Sequence, residues 1–165
     1  MTAVPAIARA SPADAGAIAQ FQITAWRQTY RGLVPDAFLD GMDAASSAER
    51  WAQRLATGAR DAAIALAGGR MVAVASTHRS LTARHLPELE LRTLYLAPEV
   101  HGTGLADRMM DATIGHDAAH LLVFDVNERA QRFYRRHGFA PVGGTLRDPG
   151  TGLAEQRWVR ARRDA

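Results

Sequence analysis

Cysteine is absent from the 165 residues, which rules out disulfides, thiolate metal sites and a cysteine nucleophile. The same absence suits a reducing compartment. No apolar run approaches the ~20 residues that span a bilayer. The first ten residues also lack a basic segment followed by a sustained apolar one. A cytoplasmic chain with no membrane partner is the expectation. Excess charge of one sign is missing as well: 20 basic against 17 acidic residues give +3, too little for a sequence-wide electrostatic case for a nucleic-acid partner. Arg157, Arg160, Arg162 and Arg163 gather near the C-terminus, where a basic run reads as a solvated tail. Internal repeats, low-complexity segments and composition breaks are lacking too, so residues 1–165 read as one domain.

What is present belongs to an ordinary folded chain, with 47% hydrophobic and 22% charged residues. Residues 6–10 suit a short first strand. Ser11 followed by Pro12 signals a helix start, and Ile18, Phe21 and Ala25 give that helix its buried stripe. Trp26 and Tyr30 lie four apart on an adjacent face, and Gly32 with Pro35 ends the pattern. A second helix is expected over much of residues 38–55. Residues 62–67 and 71–76, joined by Gly68-Gly69, read as a β-hairpin. A polar connector over residues 80–87 precedes a strand over 88–96 that Pro98 closes.

Residues 104–114 read as a helix with Leu105, Met109 and Ala112 on its buried face and Gly115 as its stop. The apolar run 121–126 suits a strand buried on both faces, and strand, helix, strand implies a parallel right-handed crossover. Asn127 is placed to cap a helix carrying Ala130, Phe133, Tyr134 and His137 before Gly138. Two last strands fall around 141–143 and 154–159. The expected fold class is α/β (α+β) with a mixed sheet.

The run His101-Gly102-Thr103-Gly104-Leu105-Ala106 sits between a strand and a helix, so its backbone N–H groups and the helix dipole can face an anion such as a pyrophosphate. Glycine allows close approach of backbone to phosphate. Alone, the run reads equally as a tight turn. It is no P-loop, which needs a Lys-Ser/Thr pair, and its glycine spacing is not that of the dinucleotide fingerprint. His116 and His120 are four apart but flank a helix end without a carboxylate to complete a metal motif, so no metal is expected.

The loop lies between Glu90-Leu-Arg-Thr-Leu-Tyr-Leu96 and Asn127-Glu-Arg-Ala-Gln-Arg-Phe-Tyr-Arg-Arg-His-Gly-Phe139. Together these resemble the GCN5-related N-acetyltransferases (GNAT family), in which a Gln/Arg-x-x-Gly-x-Gly/Ala loop binds the coenzyme A pyrophosphate and an Asn-x-x-Ala-x-x-Phe-Tyr-x-x-x-Gly-Phe segment completes the site. This sequence has His101-x-x-Gly104-x-Ala106, and the second motif is matched at Asn127, Ala130, Phe133, Tyr134, Gly138 and Phe139. The resemblance covers nearly the whole chain. It departs at His101, where glutamine or arginine is usual. That imidazole either donates to a phosphate, with a pH-sensitive charge, or faces solvent.

The resemblance implies a GNAT fold: antiparallel N-terminal strands, a splayed parallel pair in the middle of the sheet, and flanking helices. It implies acetyl-CoA as donor, its pantetheine arm in the gap between the splayed strands against backbone groups near Leu94 and Leu96. The implied pyrophosphate site is the run from His101 to Ala106. Asn127 is an implied side-chain contact, or simply a helix cap. Tyr134 is implied as the general acid that protonates the departing thiolate, since a phenol stays protonated where a thiol leaves as an anion; aromatic packing is the competing reading. Glu90 is the candidate base, with Glu88 competing and a water chain as substitute. Trp26 and Tyr30 lie where the family shapes its acceptor pocket, and both equally suit core packing.

The implied reaction is direct transfer in a ternary complex to a primary amine of a small molecule. Two other readings stay open: a protein or peptide acceptor, and a non-catalytic acetyl-CoA-binding sensor. Family members are often homodimers, and nothing in this sequence specifies an interface.

Overall fold

The computed structural model describes residues 4–82 and 84–164. Residue 83, within the expected connector over 80–87, lies outside the described residues, as do 1–3 and 165. Strands β1 (Ala6–Arg9), β2 (Asp61–Ala67), β3 (Arg70–Arg79), β4 (Leu89–Leu96), β5 (Ala119–Phe124), β6 (Ala140–Arg147) and β7 (Ala154–Arg160) form one sheet. Helices are α1 (Ala15–Tyr30), α2 (Asp36–Asp40), α3 (Ala44–Thr57), α4 (Leu105–Thr113) and α5 (Glu128–Arg136). The strand order is β1-β2-β3-β4-β5-β7-β6. Every pairing is antiparallel except that of β4 with β5. This is the expected mixed α/β architecture.

Local chemistry sets most boundaries. The β2–β3 hairpin turns on Gly68 and Gly69 with φ of +56° and +77°, a pair of left-handed residues that matches strand twist and that a Cβ would resist. Ser11 and Asp14 form a capping box over a 3₁₀ turn that leads into α1. The single helix expected over 38–55 is instead two. Asp43 breaks it: its carboxylate accepts from the Ser46 N–H at 2.8 Å and starts α3 as a new helix.

Three smaller expectations also shift. Strand β5 starts and ends two residues earlier than the apolar run, because Phe124 accepts from the Asn127 N–H in a turn that leaves Val126 43% exposed. The buried face of α4 is carried by Leu105, Met109 and Met110, with Ile114 just beyond, while Ala112 is exposed. Strand β6 is longer than 141–143, held by pairing with β7 that no local signal announces.

Two apolar layers clamp the sheet. On one face α1 and α3 pack Ile18, Ala19 and Trp51 against Ile64 and Val74. On the other α4 packs Leu105 and Met109 against Val72, Ala73 and Ala75, continuing through Met110 and Ile114 to Leu121, Phe139 and Trp158. The second layer packs Leu89 and Leu91 of β4 with Ala119, Leu121 and Val123 of β5. The strands share only one register pair, Glu90 with His120, at their beginnings. Beyond it they part, and the β5-facing edge of β4 is left without a strand partner.

Candidate active site

The parting of β4 from β5 opens a cleft of about 900 Å³, lined by residues of α1, β4, the 98–104 loop, α4, β5, α5 and the β6–β7 end. A bulge shapes its floor. Ser76 pairs with Thr93 and Thr77 with Leu91, so Arg92 is one residue extra in β4. Alternation alone would put Glu90 and Tyr95 on opposite faces. With the bulge, Tyr95 reaches the α1 side, where its hydroxyl accepts from Trp26 Nε1 at 2.6 Å.

One end of the cleft is built to meet an anion. Gly102 and Gly104 have φ of +75° and +79°, and a Cβ at either would meet nothing within 4 Å, so the loop face is open. Gly104 caps α4 with no side chain, leaving the first-turn N–H groups of α4 without intrahelical acceptors. His101, Gly102, Gly104 and Ala106 line this end. Leu105 instead packs in the core, and Thr103 spends its hydroxyl on the Val100 carbonyl at 2.7 Å, so these two offer backbone only. Arg129, Arg132 and Arg136, at helical spacing on α5, face the same end. Sequence reading passed over them, although their 3- and 4-residue spacing was there to be seen.

His101 is exposed, yet both of its ring nitrogens are engaged. Its Nδ1 lies 2.9 Å from Arg129 Nη1, and a guanidinium can only donate, so Nδ1 accepts. The ring proton is therefore on Nε2, which donates to the Leu96 carbonyl at 3.2 Å. Burial, then Arg129, holds its pKa below the ordinary histidine value. His101 is neutral, and one of the two backbone positions singled out on β4 already has its carbonyl engaged.

The middle of the cleft holds Leu94, Leu96 and Tyr134. Tyr134 is half-buried between Phe133 and Phe139, with ring centroids 5.6 and 5.8 Å away. Its hydroxyl has no hydrogen-bond partner among the described residues. Burial, with Tyr95 and Tyr30 nearby, pushes the phenol well above its ordinary pKa, so it stays protonated. Asn127 does cap α5, accepting from Ala130 N–H at 3.1 Å, and its amide donates to the Tyr30 hydroxyl at 3.0 Å.

At the other end, the rings of Trp26 and Tyr30 pack 4.7 Å apart, tilted by 45°, and meet Phe124 edge-on. They belong both to a core cluster with Val34 and Leu39 and to the cleft wall. Glu90, Arg92, Asp148 and Glu155 also line this end. Glu90 is 7% exposed, and its Oε1 accepts from Arg92 at 3.2 Å and Arg157 at 3.3 Å. Oε2 has no partner among the described residues. Glu88 is exposed before the strand and takes no part. Arg157 also donates to His120 Nδ1 at 2.8 Å. Burial first, against the opposing pull of Glu90, lowers the His120 pKa. Burial and then Asp148 raise that of Glu155.

The C-terminal arginines correct the expectation of a solvated tail. Arg157 belongs to the cleft's ion-pair cluster. Arg160 is 2% exposed and donates to the carbonyls of Gly115, Asp117 and His137. The reason is strand β7: it is inserted between β5 and the edge strand β6, so this segment is paired on both sides. Arg162 and Arg163 are exposed.

Comparison with known proteins places this geometry. The family profile described as "Acetyltransferase (GNAT) domain" matches residues 56–141. An uncharacterized N-acetyltransferase of Mycobacterium tuberculosis is 34% identical over 119 residues, covering 68% of this chain and 73% of the relative. Among solved structures, the PaiA N-acetyltransferase from Thermoplasma acidophilum in complex with coenzyme A superposes with a TM-score of 0.71 at 15% identity, over 98% of this chain and all (100%) of that one. YncA from Salmonella typhimurium with its cofactor acetyl-CoA gives 0.70 at 18% identity, over 99% and 96%. The ribosomal-protein-alanine N-acetyltransferase from Brucella melitensis gives 0.71 at 20% identity, over 94% and 99%. These structures share the fold. No helix among the described residues is long and apolar enough to cross a membrane.

Proposed function

The chain belongs to the GCN5-related N-acetyltransferase family, and from that premise we propose that it moves the acetyl group of acetyl-CoA directly to the primary amine of a small molecule seated beside Trp26 and Tyr30. The observation that carries the reading is the two-ended cleft. Arginines of α5 and the uncapped start of α4 line one end; aromatic rings with Glu90, Asp148 and Glu155 line the other.

The residues present fit the donor. The open loop face at Gly102 and Gly104, with the free N–H groups of α4, suits a pyrophosphate. The unpaired edge of β4 near Leu94 and Leu96 suits the amides of a pantetheine arm. Leu105 and Thr103 serve through backbone, and Asn127 serves by shaping the start of α5. When bound, acetyl-CoA supplies an activated thioester.

Tyr134 is the acid of this reading: its protonated hydroxyl, free of protein partners among the described residues, donates to the departing sulfur. Glu90 is the base. Two arginines fix Oε1, which leaves Oε2 to take a proton from the incoming ammonium, directly or through water. Holding amine and thioester side by side supplies much of the acceleration. At the acceptor end, Asp148 and Glu155 favour a cation, and the rings of Trp26, Tyr30 and Phe124 cover its apolar part.

Thiol release from acetyl-CoA, measured with a panel of small amines and with peptides, tests the reading. Turnover on a small amine supports it. Turnover on peptides alone would move the acceptor to the protein class, and tight binding without turnover on either would favour the sensor.

A further inference from the structure

Every one of the 20 basic side chains is arginine; the chain has no lysine. The pyrophosphate loop itself carries no fixed positive charge, because His101 is neutral. We propose that Arg129 of α5 supplies that charge to the donor's pyrophosphate, and that His101 is the positioning residue that aims it.

Arg129 is placed where stability gives it no reason to be. It is the second residue of α5, where the positive end of the helix dipole disfavours a cation. It is exposed and forms no ion pair among the described residues, while its neighbour Glu128 pairs with Arg132. Its hydrogen-bond partner is an imidazole nitrogen. A guanidinium held by a neutral acceptor keeps its full charge and its remaining N–H donors for another ligand.

His101 holds Arg129 in register with the loop. Its ring joins three pieces of structure: the end of β4 through the Leu96 carbonyl, the glycine loop through its own backbone, and α5 through Arg129. The fixed tautomer matters here, since a ring with the proton on Nδ1 would repel the guanidinium. Arg129, the loop glycines and the start of α4 all line the same end of the cleft. A phosphate there would meet N–H donors from α4 and a planar donor pair from Arg129.

The inference rests on the acetyl-CoA reading, and calorimetric titration separates the two. Coenzyme A and 3′-dephospho-coenzyme A are titrated into the wild type, Arg129→Gln, His101→Ala, His101→Gln and the double variant Arg129→Gln/His101→Ala, each confirmed folded by its thermal melt. Arg129→Gln should weaken both ligands about tenfold or more, the loss typical of a charged hydrogen bond. His101→Ala should weaken them in the same direction, and the double variant should bind no worse than Arg129→Gln alone, because the histidine acts through the arginine. His101→Gln, which keeps an acceptor and a donor, should recover most of the affinity.

Unchanged binding in Arg129→Gln would overturn the proposal. So would a loss confined to coenzyme A, which would assign Arg129 to the 3′-phosphate. Additive losses in the double variant would remove the positioning role of His101. A wild type that binds neither ligand would overturn the acetyl-CoA reading itself, a result distinct from any of these.

Discussion

Tyr134 gains its meaning from what does not touch it. A phenol surrounded by Phe133 and Phe139, raised in pKa by burial and without a hydrogen-bond partner among the described residues, is a donor held in reserve. Tyr134→Phe should lower kcat by about 100-fold or more and leave acetyl-CoA affinity within a few-fold; steady-state kinetics paired with calorimetry read both, and an unchanged kcat would remove the acid assignment. His101 and His120 also act on stability. Both are held below the ordinary histidine pKa, first by burial. The unfolded chain therefore takes up protons that the folded chain refuses once pH drops below about 6.5. Their stabilising contribution is complete above that pH and is lost below it. The melting temperature should fall from pH 7 to pH 5, and His120→Gln should flatten part of that slope.

Single elements show how far sequence could be read. The β2–β3 hairpin and α5 were legible because their signals are local: Gly68-Gly69 must turn left-handed, and Asn127 must cap the helix that begins at Glu128. The same is true of Gly104 at the start of α4. The hidden features depend on pairing between distant segments. The bulge at Arg92 arises from the register of β4 on β3, and it puts Tyr95 against Trp26. Arg160 looked like tail because β7 is defined by its neighbours rather than by its own pattern. Its side chain ties the carbonyls of Gly115 and Asp117, after α4, to that of His137, after α5. Arg160→Met would remove the donor to all three carbonyls from a side chain that is 2% exposed and should cost about 3 kcal/mol or more. Denaturant unfolding checks this, and a loss under about 1 kcal/mol would contradict the role given to Arg160.

The whole molecule is a sheet pried open at one place and charged oppositely at the two ends of the opening. An apolar cluster packs Leu89 and Leu91 of β4 with Ala119 and Leu121 of β5 beside their shared pair, Glu90 with His120, and the divergence beyond creates the cleft. Arginines of α5 mark one end, while Glu90, Asp148 and Glu155 mark the other with Arg92 among them. In the proposed reading the first end is the donor's and the second takes the amine. The motif residues of the donor end could be read from the chain, since they sit in two compact segments. At the acceptor end only Trp26, Tyr30 and Glu90 could be named from the chain, because Phe124, Asp148 and Glu155 join them in the cleft wall only through the folded sheet. The most direct test is release of the coenzyme A thiol from acetyl-CoA in the presence and absence of a panel of small primary amines. The account predicts release that depends on at least one amine and saturates with it. Binding of acetyl-CoA with no amine-dependent release across the panel would contradict it.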